Sequence, residues 1–159
     1  MTAQANLGRD IALELLDNRL LRVYGTAETK TRRVDGSRGL TIRDFRTLSG
    51  RENLAQALVV RLLTPQGELT PLGHPDYGAR LHEIIGARNT ETIRNLAKLH
   101  VLAALSAERR VEKVTSVEVT PHVSLRQVIQ IAIELMPVGA EVPLAISFTL
   151  DLDTTGGQG

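Results

Sequence analysis

The sequence has no cysteine and no tryptophan, and only two tyrosines and two phenylalanines among its 159 residues. Without cysteine there is no disulfide framework and no thiolate metal site, a composition that fits a reducing compartment. With so few aromatics the core must be built from aliphatic side chains, and no ladder of rings is available for stacking nucleic-acid bases. No apolar run approaches the roughly 20 residues that a membrane helix needs. The opening MTAQANLGRD lacks the apolar centre of a secretory signal. These absences predict a soluble protein made in the cytoplasm, without a membrane partner. Strong net charge is missing too: the balance is +1, which sets up no global field toward nucleic acid.

What is present suffices for a single folded domain spanning residues 1–159. Apolar residues make up 42%, enough to bury a core. Charge is uneven. Nine Lys or Arg and three acids lie between Arg19 and Arg51, and the rest of the chain is net acidic. The basic band reads as a solvated loop or as a surface for an acidic protein partner, and no nucleic-acid partner is expected.

Periodicity divides the chain into strands, helices and strands again, which predicts an α+β fold: two main helices on a small antiparallel sheet with a C-terminal β-hairpin. DIALELL (10–16) alternates as a strand, and NRLLRVYG can return as a second after the turn-prone Asp17-Asn18. Residues 18–43 read as a loop or hairpin insertion, and 40–48 alternate weakly. Ser49 and Glu52 fit a capping box before a helix with Leu54, Leu58 and Leu62 on one stripe. Pro65 and Gly67 end that helix. Residues 64–78 are irregular and are followed by a short turn with Leu81, Ile84 and Ile85 that Gly86 stops. Asn89 is the expected cap of a second helix, running to about Ala107 with Ile93, Leu96, Ala97, Val101, Ala104 and Leu105 as its apolar side. VTSVEVT, VIQIAIEL and LAISFTLDL alternate as strands, the last two forming a hairpin over 128–152, and 153–159 read as a flexible tail.

Catalytic signals are thin. HEIIG at His82 starts like a zinc-protease helix but has Gly86 in place of the second histidine, so no metal site is expected. His100 falls on or beside the apolar side of its helix and reads as a packed histidine. Glu68, Asp76 and Glu83 could supply a glycosidase pair only if one carboxyl were buried; acids in loops are ordinarily solvated. No catalytic residue and no cofactor is assigned. Gly67 and Gly78 suit tight turns, and Tyr77 suits an anchor of the irregular loop with its hydroxyl bonded.

The ordered set RLLTPQGEL, PDYGARL, a capped helix ending in ERRV, and paired strands resembles the contractile-tail baseplate wedge family. Its members include the small sheath-anchoring wedge protein of phage tails, baseplate assembly protein W, and counterparts in type VI secretion and phage-like injection particles. The resemblance covers roughly residues 44–152. Thr64, Gly67 and Glu68 match the family's threonine and Gly-Glu turn, and Tyr77, Gly78 and Leu81 its aromatic-glycine element. Glu108 and Arg110 match the outer members of its Glu-Pro-Arg motif. Arg109 stands where the family usually has proline. Proline would lock φ and remove a donor; arginine leaves the helix free to run on.

The resemblance implies a wedge-like structural protein of a virion or particle tail baseplate, assembled in the bacterial cytoplasm. It would dock on other wedge proteins through Glu108, Arg109 and Arg110, with tube or hub proteins as further neighbours. It would start the tail sheath by strand addition, for which the N-terminal strand and the C-terminal hairpin, with Ile146, Phe148, Leu150 and Leu152, are the candidates. On this reading Glu108→Ala or Arg110→Ala leaves folding intact and blocks assembly. Some relatives carry a lysozyme label, so a peptidoglycan hydrolase is the rival. A cytoplasmic protein-binding adaptor is the third reading.

Overall fold

The computed structural model describes residues 7–18, 21–26, 28–33, 40–45 and 47–153. Strands β1 (Arg9–Ile11), β2 (Leu13–Asn18), β3 (Leu21–Thr26), β4 (Glu28–Arg33), β5 (Leu40–Phe45) and β6 (Thr47–Ser49) precede helix α1 (Gly50–Leu63). Two short 3₁₀ turns, Thr70–Leu72 and Arg80–Ile84, lead to helix α2 (Glu91–Ser106). Strands β7 (Val111–Pro121), β8 (Val128–Pro137) and β9 (Leu144–Asp151) close the chain. The protein is an α+β domain in which two main helices cover one face of a three-stranded antiparallel sheet, in the order β7-β8-β9.

The core is aliphatic, as the scarcity of aromatics requires. Leu54, Leu58 and Leu62 of α1 recur every fourth residue and are fully buried. They meet Ala97, Val101, Ala104 and Leu105 of α2 and the inner sheet face, where Val117, Ile129, Ile131, Ile133 and Leu135 alternate with exposed or half-buried positions. Leu96, expected on the apolar side of α2, is 37% exposed. The buried seam of α2 is therefore narrower than the spacing suggests, running through Ala97, His100, Val101, Ala104 and Leu105.

Several local expectations are corrected. The strand expected over 10–16 breaks at Ala12, which is fully buried. There Gln56 of α1 acts as a surrogate strand: its Oε1 accepts from the Leu13 N–H (2.7 Å) and its Nε2 donates to the Ile11 carbonyl (2.8 Å). Asp17 and Asn18 do not turn but pair with Arg22 and Leu21 in the β2–β3 hairpin. Of the two alternatives expected for 18–43, loop or hairpin, the described residues hold a hairpin, β4–β5, and only its end at Phe45 lies beyond the expected bound. Ser49 is the N-cap of α1, yet its side chain makes no capping bond. It belongs to the β1–β6 ladder opposite Arg9, and the next N–H, that of Gly50, goes to the Gly8 carbonyl (3.2 Å). Thr90, not Asn89, caps α2, accepting from the Ile93 N–H (3.3 Å). Asn89 donates to the Arg126 carbonyl (2.9 Å) and accepts from Arg94 (2.8 Å), tying the start of α2 to the β7–β8 connection. Of the expected tail only Asp153 is described; 154–159 lie outside the described residues.

Candidate functional site

The loop between α1 and α2 is built on backbone bonds that explain its unusual residues. Thr64 closes α1: its hydroxyl and its N–H both donate to the Val60 carbonyl (2.8 and 3.0 Å). The loop then returns beside it, Ala79 N–H donating to Thr64 O (2.9 Å) and Gln66 N–H to Ala79 O (3.0 Å), a parallel bridge. At this close approach Gly78 has φ +108°, and a Cβ there would lie 2.6 Å from the Thr64 carbonyl, so only glycine fits. Gly67 (φ +88°) turns the chain, and a Cβ there would meet only the Thr70 hydroxyl, at 3.8 Å. Glu68 is exposed, with its N–H bonded to Pro65 O (3.1 Å).

Tyr77 carries the loop's main side-chain contact. The Arg61 guanidinium of α1 stacks over its ring at 4.5 Å, a cation–π contact. The expected hydroxyl bond is not made among the described residues. Burial pushes the Tyr77 phenol up from its ordinary pKa, against the pull of Arg61.

Arg61 also reaches the charged junction. Its Nη2 lies 3.6 Å from Glu108 Oε2, and the Arg61 and Glu108 side chains are only 12% and 11% exposed. Arg110 grips the same carboxylate with Nε (2.9 Å), Nη2 (3.2 Å) and its backbone N–H (3.3 Å), and its Nη1 reaches the Leu7 carbonyl (3.4 Å). Burial works to raise the Glu108 carboxyl, but the Arg110 side-chain bonds and the charges of Arg110 and Arg61 outweigh it and hold it below the usual carboxylate range. Glu108 and Arg110 therefore tie α1, the Tyr77 loop, the N-terminal segment and the start of β7 together from within. Removing Glu108 leaves the Arg61 and Arg110 charges without their carboxylate, and removing Arg110 leaves Glu108 with only the longer Arg61 contact, so the expectation that such variants fold as before does not follow.

Arg109 behaves differently. It is exposed and makes no hydrogen bond or ion pair among the described residues. α2 stops at Ser106 in spite of it. Glu108–Val111 forms a four-residue turn closed by Val111 N–H to Glu108 O (3.1 Å), and Arg109 is its second residue. Proline is favoured at that position, so the turn that Arg109 occupies is one that proline would also suit. Of the trio, only Arg109 points a free charge outward.

The sheet offers a second feature. β7 and β9 are both edges, but they are unlike. β7 has register breaks between Val111 and Lys113 and between Val114 and Ser116, and ends at Pro121. Bulges, lysine and proline are the devices that blunt an edge against pairing. β9 pairs with β8 in unbroken register over eight residues and has none of them. The Leu152 N–H donates to Gln127 O (2.8 Å), continuing that register. Because bonded pairs alternate in an antiparallel ladder, Leu150, Phe148 and Ile146 also spend their backbone groups on β8. The N–H and C=O groups left without a partner among the described residues belong to Ala145, Ser147, Thr149 and Asp151, all exposed. The four residues expected to carry strand addition are thus core-side: Ile146, Leu150 and Leu152 are buried and Phe148 half-buried. The Leu152 carbonyl accepts from Gly86 (2.7 Å), which fixes the end of the strand. The alternation in LAISFTLDL was legible as sequence, but which parity faces the edge required the register. The N-terminal candidate edge is already paired on one side, β1 with β6.

The carboxylates considered for hydrolysis do not form an acid–base pair. Glu68 and Asp76 are exposed. Glu83 is gripped by Arg80 (2.7 and 2.9 Å), whose hydrogen bonds hold it below the usual range. His100 is packed as expected, 8% exposed, with Nε2 4.0 Å from Glu83 and no hydrogen-bond partner. Burial lowers its pKa, the nearby Arg80 charge adding to this and Glu83 opposing it. Among the described residues no group of three or more His, Asp or Glu could hold a metal ion. No described helix is long and apolar enough to cross a membrane.

An α+β domain with a helix-covered antiparallel sheet and one unguarded edge is the class that fold and surface define. Among solved structures, the chain resembles a crystal structure from Geobacter sulfurreducens described as a "putative tail lysozyme", with a TM-score of 0.57 and 24% identity over 65% of this chain and 92% of the other. At that identity the likeness is one of fold. No protein-family model and no curated protein matches the chain.

Proposed function

We propose that the protein is a structural component of the baseplate wedge of a contractile tail or injection particle, assembled in the bacterial cytoplasm. It docks there on other wedge proteins and starts the sheath by accepting a strand. The observation that carries this reading is the unguarded β9 edge, eight residues of regular strand with free backbone groups. The motif order seen in the sequence and the tail-related description of the fold neighbour support the setting. Within the wedge, Arg109 is the docking charge, since Glu108 and Arg110 are committed internally and set the turn that presents it. Co-purification with the products of neighbouring genes tests this: Arg109→Glu should lose wedge partners while keeping the wild-type melting temperature, and retention of all partners would count against it.

The neighbour's description also names a lysozyme, which favours a second reading, a peptidoglycan hydrolase. A general acid needs a raised pKa, whereas Glu83 and Glu108 are both held down. Dye release from labelled peptidoglycan discriminates: activity that Glu68→Gln abolishes would replace the structural reading.

A further inference from the structure

Beside β9 lies a largely apolar hollow of about 210 Å³, whose lining includes Leu62, Leu63, Leu81, His82, Ile85 and Leu150. It opens between the end of α1, the 3₁₀ turn Arg80–Ile84 and the inner face of β9. The register decides what it faces. Side chains directly opposite each other on neighbouring strands share a face of the sheet. A residue of an added strand opposite Leu150 therefore points inward, into the layer that Leu150 occupies and hence into the hollow. The next residue, opposite Asp151, points outward to a carboxylate that accepts from the Asp153 N–H (2.9 Å).

We propose that β9 and this hollow form one selective docking site for an extended segment of a partner protein. The segment pairs with Ala145, Ser147, Thr149 and Asp151, seats one large aliphatic side chain in the hollow opposite Leu150, and carries a lysine or arginine opposite Asp151. The backbone ladder supplies affinity without sequence preference; the hollow and the carboxylate supply the preference. Charge complementarity and the apolar hollow in register select such a segment over an arbitrary strand. This rests on the same edge as the assembly reading but not on the identity of the particle.

The test uses the full chain, isotopically labelled, titrated with capped octapeptides that alternate threonine and valine. One carries a leucine next to a lysine, a second has serine for that leucine, and a third has glutamate for the lysine. The proposal expects amide shifts at Ala145, Ser147, Thr149 and Asp151 and methyl shifts at Leu63, Leu81, Ile85 and Leu150. The serine peptide should bind about tenfold or more weakly, the equivalent of losing a buried leucine, and the glutamate peptide several-fold more weakly. Ile85→Lys should abolish the leucine preference. Shifts elsewhere on the surface, or equal affinity for the leucine and serine peptides, would overturn the proposal. Anchor-dependent binding by a chain whose particles assemble with a blocked edge would reject the assembly reading and keep the docking site. Anchor-independent binding alongside failed assembly would do the reverse.

Discussion

Glu108 sits just beyond the end of α2, where the helix dipole disfavours an anion by roughly 0.3–1 kcal/mol. The Arg110 fork and the Arg61 charge offset that cost, in a setting only 11% exposed. Glu108→Ala should lose about 1–3 kcal/mol in urea denaturation, because Arg61 and Arg110 are left half-buried without their carboxylate; an unchanged midpoint would contradict this. Glu108 is depressed in the folded state, so its contribution is present above the unfolded carboxylate pKa and fades as pH falls through the lower folded value. His100 acts at a higher window. Its folded pKa is lowered, so the unfolded chain takes up the proton first, and stability drops as pH falls below about 6.5. The groups facing His100 are Arg80, Glu83 and His82. His100→Gln should flatten that upper step and leave the acid step, in a pH series of thermal melts. At Arg109 the expected effect has the opposite sign. Proline at the second position of this turn should stabilise by about 0.4–1 kcal/mol, while removing the outward charge.

At the scale of elements, the strongly periodic segments were readable: α1, α2, β8 and β9 occur where the spacing of apolar residues places them. What could not be read were choices among competing donors and acceptors. Ser49 and Glu52 carry the capping-box pattern, but ladder pairing with Arg9 governs the entry into α1. Asn89 and Thr90 are both plausible caps, and tertiary contacts with Arg126 draw Asn89 away. The break at Ala12 depends on Gln56, 44 positions later in the chain, a contact no local pattern announces. Gln56→Ala should therefore release the β1–β2 corner, costing about 1–2 kcal/mol for two lost bonds and speeding amide exchange at Leu13 more than in α2. The aromatic-glycine element was legible as a motif, yet its reason is steric: Gly78→Ala must displace the Thr64 carbonyl. It should cost more than the core substitution Ala104→Gly, measured by the same denaturation.

For the whole molecule, the candidate site was legible in part. The Glu108–Arg110 junction stood out as charge at a helix end, and the structure divides its roles. Two residues brace the interior and Arg109 faces out. The edge was legible as alternation, but its free groups belong to the parity opposite to the apolar one. The contrast between a bulged, proline-ended β7 and a regular β9 turns a general expectation of strand addition into a specific one. Ser147 directs its N–H to the open edge, so Ser147→Pro removes a donor from the edge without breaking the β8–β9 ladder. The decisive measurement is electron microscopy of particles assembled with that variant, once its melting temperature matches the wild type. Baseplates or tubes without sheath are the predicted result; fully sheathed particles in wild-type numbers would contradict the account.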